Sequence, residues 1–318
     1  MDRSGPVATL RAAVAQFAHR HPAESWCVGL SGGADSLALA AVAATLGPTT
    51  ALIVDHGLQT DSAQVAAGTR DQALRLGCVA AQVLRIEVGT DGGPEAAARS
   101  ARYAALDAAR DGAPVLLAHT LDDQAETVLL GLGRGSGARS IAGMRDWDFP
   151  WGRPFLGMRR EMTVAACDEL GVQPWHDPHN SDPRFTRVRL RSEVLPLLED
   201  VLAGGVGEAL ARTAAALRED NDALDALAAE RLAAQRTPEG LRVDGLNELP
   251  AAVRRRVIRG WLLSTGAAGL TEVQIRAVDA LVTDWRGQGG VAVASPLRFQ
   301  RLVVQRRNGT LTAAAQPV

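Results

Sequence analysis

The sequence predicts an α/β fold, a doubly wound parallel five-stranded sheet that is followed by a helical arm and a small α+β domain. Short apolar runs alternate with helical segments as far as Leu132, and this β-α-β-α order is typical of a parallel sheet with helices on both faces. A long segment rich in alanine, leucine, arginine and glutamate follows Gly204-Gly205 and predicts a connecting helix. We therefore expect one domain over residues 1–203 and a second over 204–318.

The local patterns place the individual elements along the chain. The clearest predicted strands are the apolar runs at 25–28, 49–54, 80–88 and 114–118. Helical spacing predicts helices at 7–20, 37–42, 61–76, 94–110, 122–132, 159–171 and 185–198. Residues 146–154 are expected to be irregular. In the second domain the patterns predict a frayed tail around Pro317, a short strand near 241, helices at 250–264 and 271–284, and strands at 291–294 and 298–305.

The composition is that of an ordinary globular protein, with 47% hydrophobic and 22% charged residues. The net charge of −2 gives no overall nucleic-acid signal, although all 34 basic residues are arginine and several of them are clustered. The apolar runs are too short to span a membrane, and the N-terminus lacks the pattern of a signal peptide. Three separate cysteines without a C-x-x-C pair indicate buried thiols in a reducing compartment, so we expect a cytoplasmic protein with no membrane partner.

The glycine-rich stretch Gly29–Ser36 connects the first predicted strand to the next helix. Its adjacent glycines, with the hydroxyls of Ser31 and Ser36, suit an anion-binding site at a helix N-terminus. Asp35 would repel a phosphate unless a divalent cation lay between them, and it therefore indicates Mg²⁺. Three interpretations fit this stretch: a simple glycine-rich turn, a G-x-S-x-G hydrolase elbow and a phosphate loop. A Walker A loop is excluded because the chain contains no lysine.

A second group of polar residues begins at the end of the fourth predicted strand. His119 stands at the strand tip, and the next helix begins with the acidic residues Asp122, Asp123 and Glu126. Acidic residues in a first turn also cap helices, so the group alone leaves its role open. At the carboxyl end of a parallel strand, however, it would supply oxygen ligands for Mg²⁺ and a histidine titrating near neutrality. A hydrolase is disfavoured, because a carboxylate beside its nucleophile would repel the oxyanion.

Several blocks of the sequence resemble the signatures of the tRNA(Ile)-lysidine synthetase family, within the PP-loop (N-type ATP pyrophosphatase) superfamily. The blocks are Ser31-Gly32-Gly33-Ala34-Asp35-Ser36, Val54-Asp55-His56-Gly57-Leu58, Ala118–Thr127, Arg153–Leu156 and Asp177–Arg191. The first block is shared by the whole superfamily, whereas Ala118–Thr127 is much more specific. Together the blocks cover roughly residues 24–200, and residues 241–305 resemble the accessory tRNA-binding domain of the family. The resemblance implies an adenine-nucleotide α-hydrolase-like fold for the first domain.

The resemblance also implies a two-step reaction with ATP and Mg²⁺ as cofactors. ATP adenylates the C2 oxygen of the wobble cytidine in a tRNA(Ile) with a CAU anticodon, and the ε-amine of free L-lysine then attacks C2 and expels AMP. The implied ATP-binding residues are Ser31, Gly32, Gly33, Ala34, Asp35, Ser36, Asp55 and His56. The implied catalytic residues are Asp35, His119, Asp122, Asp123 and Glu126. Two of these carboxylates, Asp35 and Asp123, are the implied Mg²⁺ ligands.

RNA contacts are implied for arginines of the later blocks, namely Arg153, Arg184, Arg187, Arg189 and Arg191. Three departures from the family pattern concern RNA contacts rather than the ATP chemistry. Val188 stands where the family usually has the asparagine of R-N-R, His179 stands where a serine is common, and Gln59 stands where the family usually has the arginine of H-G-L-R. Six aromatic residues near these arginines either face RNA or form a small core under a loop: Trp147, Phe149, Trp151, Phe155, Trp175 and Phe185.

Two alternatives remain open. A tRNA 2-thiolating enzyme of the same superfamily would rely on reactive cysteines near the ATP site, but Cys27 lies inside a predicted strand. A non-enzymatic ATP-binding regulator could use the same sheet without needing the acidic pair or the arginine clusters. A homodimer is a further expectation about assembly.

Overall fold

The computed structural model describes residues 5–57, 61–87, 89, 93–135, 137–177, 182–295 and 299–317. Leu58, His179 and Asn180 of the family blocks, the neighbouring Gln59, and the predicted strand start at 298, lie outside the described residues. The contacts of the chain divide it into two compact units, 1–135 with 140–214 and 136–139 with 215–318. The domain boundary at 203/204 stays a prediction. Within the described ranges, no helix combines the length and the apolar character needed to cross a membrane.

A mostly parallel sheet forms the centre of the first unit. Its strands are β1 Trp26–Leu30, β2 Thr49–Asp55, β3 Ala80–Arg85, β4 Val115–Leu116, β5 Trp147–Asp148 and β6 Trp151–Gly152. Their order is β3-β2-β1-β4-β6-β5, and every neighbouring pair is parallel except β5 with β6. The helices are α1 Pro6–Arg20, α2 Ala34–Ala44, α3 Ser62–Arg75, α4 Pro94–Ala109, α5 Leu121–Gly133, α6 Ala138–Ile141, α7 Arg160–Leu170, α8 Thr186–Arg189 and α9 Leu195–Val201. The predicted α/β fold is confirmed.

The sheet separates two layers of apolar side chains. Successive residues of a strand point to opposite faces, so Val28 packs in one cluster with α2, and Cys27 packs in another with Leu106 of α4. Helix α2 can be covered on all sides because residues 37–43 are apolar throughout, and all of them are buried. This packing fixes the carboxyl ends of β1, β2 and β4 along one edge of the sheet.

The sheet has six strands where five were predicted, because a hairpin forms in the segment 146–154 that was expected to be irregular. Strands β5 and β6 of this hairpin are antiparallel and only two residues long, too short to show a periodic pattern. Trp147 stacks on His21 with ring centroids 4.5 Å apart, and Phe155 just beyond the hairpin is fully buried. These two aromatic residues therefore belong to the core rather than to an exposed surface.

The second unit is a small α+β domain, as predicted. Its strands are β7 Arg236–Thr237, β8 Gly240–Arg242, β9 Val291–Ala294, β10 Gln300–Arg307 and β11 Thr310–Pro317, in the order β7-β8-β11-β10-β9. Helix α10 Val206–Gln235 leads into this unit, which also contains α11 Ala251–Ser264 and α12 Glu272–Thr283. The expected frayed tail near Pro317 is wrong, since β11 pairs with β10 from Thr310 to Pro317 and so gains backbone partners along its length.

Candidate active site

The glycine-rich loop lies between β1 and α2 at the carboxyl edge of the sheet. Gly32 has a φ of +84°, and a Cβ at this position would approach the Thr69 hydroxyl to 2.7 Å. The Ser36 hydroxyl fixes the loop, because it accepts a hydrogen bond from the Ser31 N–H (3.1 Å) and donates one to the Gly33 carbonyl (3.0 Å). The loop is therefore held as a tight turn at the N-terminus of α2, where backbone N–H groups can face an anion.

A cavity of about 250 Å³ opens beside this loop. Its lining includes three predicted ATP-binding residues, Ser31, Asp55 and His56. The other predicted ones belong to the adjoining loop and the first turn of α2: Gly32, Gly33, Ala34, Asp35 and Ser36. The cavity also has polar or aromatic walls that received no ATP-binding role from the sequence: Thr69, Arg102, Trp175 and Asp177. This mixture of apolar surface and a few polar groups is typical of a small-molecule site.

Three acidic side chains converge on one guanidinium beside the loop. Arg160, the first residue of α7, donates from Nε to Asp35 Oδ2 (3.1 Å) and from Nη2 to Asp123 Oδ1 (2.6 Å). Its Nη1 lies 4.0 Å from Glu126 Oε1. Asp35 also accepts a hydrogen bond from the Thr163 hydroxyl. We call Asp35, Asp123 and Glu126 the acid cluster; it unites three of the predicted catalytic residues around an arginine that the sequence analysis did not single out.

The adjacent residues Asp122 and Asp123 have different surroundings. Asp123 accepts a hydrogen bond from the Thr120 N–H (2.8 Å) and completes a capping box at the start of α5, while its other oxygen faces Arg160. Asp122 instead accepts hydrogen bonds from the backbone N–H of Arg160 (2.8 Å) and from Nη1 of Arg159 (3.3 Å). Asp122 therefore holds the beginning of α7, whereas Asp123 belongs to the acid cluster.

Glu126 is fully buried, and two arginines from a later helical segment pair with it. Arg191 donates from Nε to Glu126 Oε1 (2.7 Å), and Nη1 of Arg187 lies 3.5 Å from Oε2. Arg187 is in α8, and Arg191 is in the π-helical turn Leu190–Val194 that joins α8 to α9. Such turns are frequent at functional sites because they redirect side chains. Two arginines with a predicted RNA role are thus aimed at the acid cluster.

The other three arginines with a predicted RNA role divide into buried and exposed ones. Arg153 is only 7% exposed, and its Nη1 donates to the Arg145 carbonyl (3.0 Å). Arg184 and Arg189 are exposed, and they form ion pairs of 2.6 and 2.8 Å with Asp182 and Glu193. Because exposed ion pairs open at little cost, Arg184 and Arg189 can reach a phosphate in solution, whereas Arg153 is enclosed by protein.

The pKa values of Asp35 and Asp123 are shifted in opposite directions. Burial raises the pKa of Asp35, against the opposing effects of Arg160 and the Thr163 hydrogen bond. Burial also acts to raise the pKa of Asp123, but the Arg160 charge and the hydrogen bonds from Thr120 outweigh it, so this pKa lies below its usual range. Asp123 is therefore firmly ionised, and its negative charge is available to hold a cation.

The two histidines predicted at the site are neutral. Burial, helped by the charge of Arg153 and opposed by Asp123, lowers the pKa of His119 to about 3. The expectation that His119 titrates near neutrality is therefore wrong, because its spacing in the sequence did not reveal how deeply it is buried. Burial and the Arg102 charge also lower the pKa of His56. Nδ1 of each ring is buried and has no hydrogen-bond partner among the described residues, so both can orient toward a ligand.

Two known domain families match the chain. Residues 7–198 match the PP-loop domain, and residues 241–312 match the TilS substrate binding domain. The chain is 67% identical to tRNA(Ile)-lysidine synthase of Mycobacterium tuberculosis and 64% identical to that of Mycobacterium leprae, with 100% of both chains covered in each comparison. The chain belongs to the tRNA(Ile)-lysidine synthase family. Its PP-loop domain places it among enzymes that use ATP.

A solved structure supports the fold of this lysidine synthase family member. U34-tRNA thiolase NcsA from Methanococcus maripaludis superimposes with a TM-score of 0.53 at 17% identity, and the match covers 67% of this chain and 80% of that one. At this identity the similarity shows that the two chains share the α/β fold. It carries no information about the reaction.

The donor set of this lysidine synthase family member fits the predicted Mg²⁺ pair. Asp35 and Asp123 supply carboxylate oxygens, the ligands that Mg²⁺ prefers, and they lie on two sides of the Arg160 guanidinium. Among the residues that the structure describes, no group of three or more His, Cys, Asp or Glu side chains is arranged to hold a metal. Two carboxylates leave most coordination positions of Mg²⁺ to phosphate or water, as is usual for Mg²⁺ in nucleotide sites.

Arg160 is the member of the candidate site that sequence reasoning missed, although the sequence contains a signal for it and for its neighbour Arg159. Both stand at the start of a predicted helix, where the helix dipole disfavours positive charge. Two arginines at such a position need acidic partners. The structure supplies these partners from α2 and α5, and for Arg159 also from Glu208 at the start of α10.

Proposed function

We propose that this protein joins free L-lysine to C2 of the wobble cytidine of a tRNA(Ile) with a CAU anticodon. ATP is cleaved in the process: pyrophosphate leaves when the C2 oxygen is adenylated, and AMP leaves with that oxygen when the amine attacks C2. The base becomes lysidine through an adenylated cytidine. The acid cluster beside the cavity carries this proposal, because it offers negative charge for an amine next to a place for a nucleotide. Support comes from the full-length relatives, which are named tRNA(Ile)-lysidine synthase.

The first step needs ATP held with its phosphates toward the acid cluster. We assign the phosphates to the loop Ser31–Ser36 and the N-terminus of α2, where N–H groups and the helix dipole favour anions. We assign the adenosine to the cavity, with Asp55 and His56 on one wall and Trp175 on another. The backbone N–H of Trp175 donates to the Gly32 carbonyl (2.9 Å), so the segment that carries this aromatic wall is tied to the loop Ser31–Ser36.

Mg²⁺ is proposed to be held by Asp35 and Asp123 together with phosphate oxygens. When bound, it would supply positive charge that stabilises the leaving pyrophosphate. The chain's own contribution is to hold these two carboxylates in place: Thr163 donates to Asp35, and the Thr120 N–H donates to Asp123. Asp122 contributes indirectly, since it fixes the backbone of Arg160.

The second step needs an uncharged amine, although lysine enters as an ammonium ion. We propose that Glu126 and Asp123 attract the ammonium and that a carboxylate of the acid cluster takes its proton. His119 stays neutral at the reaction pH because its pKa is about 3. Its partnerless Nδ1 can therefore orient the amine or the cytidine by a hydrogen bond. Arg187 and Arg191 balance the charge of Glu126, which is fully buried.

The RNA partner is proposed to bind through exposed arginines and through the second unit. Arg184 and Arg189 are exposed and can exchange their carboxylate partners, Asp182 and Glu193, for RNA phosphates. Residues 241–312, which match the TilS substrate binding domain, are assigned to the same tRNA. A wobble base in an anticodon loop is single-stranded, so it can be turned out of its stack into the site. Cytoplasmic location and a homodimer stay predictions.

Neither alternative activity is favoured. Thiolation relies on reactive thiolates, but all three cysteines are buried and free, and burial raises the pKa of Cys78 and of Cys167 to about 11. A protein that only binds a nucleotide does not require three carboxylates that converge beside the loop Ser31–Ser36. A PP-loop domain combined with a TilS substrate binding domain instead favours a reaction on tRNA.

The test incubates the protein with ATP, Mg²⁺, radiolabelled lysine and either tRNA(Ile) with a CAU anticodon or tRNA(Met). We expect label in tRNA(Ile) only, with one AMP released for each lysine incorporated. AMP formation that depends on tRNA but leaves the RNA unlabelled would point to another nucleophile and overturn the lysine assignment. ATP binding without AMP formation would support the regulator instead.

A further inference from the structure

Arg160 lies at the centre of the acid cluster. Three guanidinium nitrogens each lie within 4.0 Å of a different carboxylate, and the side chain is 24% exposed. A guanidinium has only donors, and carboxylates gathered in a half-buried space repel one another unless a cation lies between them. In this structure Arg160 contacts all three carboxylates. Arg191 also lies near two of them, 3.6 Å from Asp123 and 2.7 Å from Glu126, but it does not contact Asp35.

Arg160 and a divalent cation would need the same oxygen atoms. Nε of Arg160 contacts Asp35 Oδ2, and Nη2 contacts Asp123 Oδ1. These are the carboxylates proposed to hold Mg²⁺, so a metal that bound here would first have to break two charge-assisted hydrogen bonds. ATP changes this competition because its phosphates offer the guanidinium another anionic partner, and arginine binds phosphate through two parallel hydrogen bonds.

We propose that Arg160 is an internal counter-cation that keeps divalent cations out of the acid cluster until ATP binds, and that its guanidinium then contacts the ATP phosphates. This inference deepens the proposed function and depends on it only through the Mg²⁺ site. It makes metal entry conditional on nucleotide. It also assigns Arg160 a role in positioning the phosphates.

The surroundings of Arg160 allow its side chain to change partners while its backbone stays in place. Asp122 accepts a hydrogen bond from its N–H (2.8 Å), and Oγ1 of Thr163 lies 2.7 Å from its carbonyl oxygen. These contacts hold the first turn of α7 and do not involve the guanidinium. A flexible side chain on a fixed turn can exchange carboxylates for phosphates without unwinding the helix.

The experiment measures Mn²⁺ binding to the full chain by the electron paramagnetic resonance signal of free Mn²⁺, in the absence of ATP, tRNA and lysine. It compares the natural protein with Arg160→Gln and with Arg159→Gln. Arg159 is the matched control, because it is the neighbouring arginine and contacts Asp122 and Glu208 but neither proposed Mg²⁺ ligand. We expect Arg160→Gln to bind Mn²⁺ on the order of tenfold more tightly than the natural protein, and Arg159→Gln to match it.

A gain of metal affinity separates this role from a structural one, since loss of a stabilising ion pair would weaken binding. Equal or weaker Mn²⁺ binding by a folded Arg160→Gln would overturn the proposal. If that variant does not fold, Arg160→Lys replaces it; a lysine reaches one carboxylate at a time, so we expect intermediate Mn²⁺ affinity, and unchanged affinity would again overturn the proposal.

A second titration follows ATP in the presence of Mn²⁺. The phosphate contact predicts that Arg160→Gln binds ATP on the order of tenfold more weakly than the natural protein, and unchanged ATP affinity would overturn that contact. Neither titration includes lysine or RNA. Another nucleophile or another RNA substrate would therefore disprove the proposed function and leave these two results as they are.

Discussion

Two arginine–carboxylate clusters of this protein use the same chemical groups to different ends. In the second unit, Arg254 donates from Nε to Asp279 Oδ1 (2.6 Å) and from Nη1 to the Leu249 carbonyl (2.8 Å), and both side chains are nearly buried. In the first unit, Arg160 faces three carboxylates beside an open cavity. The Arg254 cluster joins α11 to α12, whereas the Arg160 cluster joins the phosphate loop to α5 and α7.

The difference lies in what surrounds the charges. Arg254 and Asp279 are nearly buried in a small domain, and their other partners, the Leu249 carbonyl and Arg255, belong to the same domain. The acid cluster gathers its charge at the carboxyl edge of a parallel sheet, where ligands bind. We propose that the Arg254 cluster stabilises the fold and that the acid cluster binds substrate. Identical Asp→Asn changes in the two clusters test this proposal directly.

Asp123→Asn should have the largest effect on activity. The variant loses the negative charge that Arg160 and the proposed Mg²⁺ share, and we expect lysine incorporation to fall on the order of 10³-fold. The fold should persist, because asparagine can still accept the hydrogen bond from the Thr120 N–H. Lysine incorporation and thermal melting of the same preparation check both statements. Near-natural activity would show that Asp123 is not a metal ligand.

Asp279→Asn should act on stability instead. The change leaves the Arg254 guanidinium buried without its countercharge, so we expect the free energy of unfolding to fall by about 3 kcal/mol. Urea unfolding gives this value. Activity per folded molecule at low temperature should stay within about twofold of the natural protein. A stable but inactive Asp279→Asn protein would contradict the division between a stabilising and a catalytic cluster.

His119 makes the free energy of unfolding depend on pH. Its pKa is about 3 in the folded protein, whereas the ordinary value is 6.5. Between these two pH values His119 is protonated in the unfolded chain and neutral in the folded one. Stability from this group is fully present above pH 6.5 and is lost as the pH falls toward 3, by about 1.4 kcal/mol per pH unit. The measurement is the difference in unfolding free energy between the natural protein and His119→Gln from pH 7 to pH 4. A difference that does not change with pH would show that His119 is not buried in a neutral form.

The sequence was sufficient to predict the fold and the parts of the candidate site that lie at strand ends. Ser31, Asp55 and His119 each follow a recognisable apolar run, and the carboxyl ends of parallel strands meet at one edge. The hairpin of β5 and β6 could not be predicted, because two-residue strands leave no alternation to detect.

The acidic partners of Arg160 could not be predicted from the sequence, for a different reason. Arg160 and Asp35 are 125 residues apart, and they meet only because α7 packs against α2. No local spacing encodes such a contact. The family resemblance implied Asp123 as the Mg²⁺ ligand, but the sequence offered no physical reason to separate it from Asp122. The position of α7 supplies one, because it places Asp122 at a helix start and Asp123 in the acid cluster.

Glu208→Gln should have the smallest effect on the free energy of unfolding. It tests whether two short hydrogen bonds are enough for an arginine–carboxylate pair to stabilise the fold. Glu208 binds Arg159 through two short hydrogen bonds, of 2.7 and 2.6 Å, so its geometry is at least as good as that of Arg254 with Asp279. Both side chains are more than a third exposed, however, and Arg159 keeps contacts with Asp122 and Glu199 when Glu208 is changed. Solvent screening and these remaining partners should limit the loss of unfolding free energy to less than about 1 kcal/mol, measured by urea unfolding beside Asp279→Asn. A loss as large as that of Asp279→Asn would mean that hydrogen-bond geometry contributes more to stability than burial does in this protein. Burial would then not explain why the Arg254 cluster stabilises the fold.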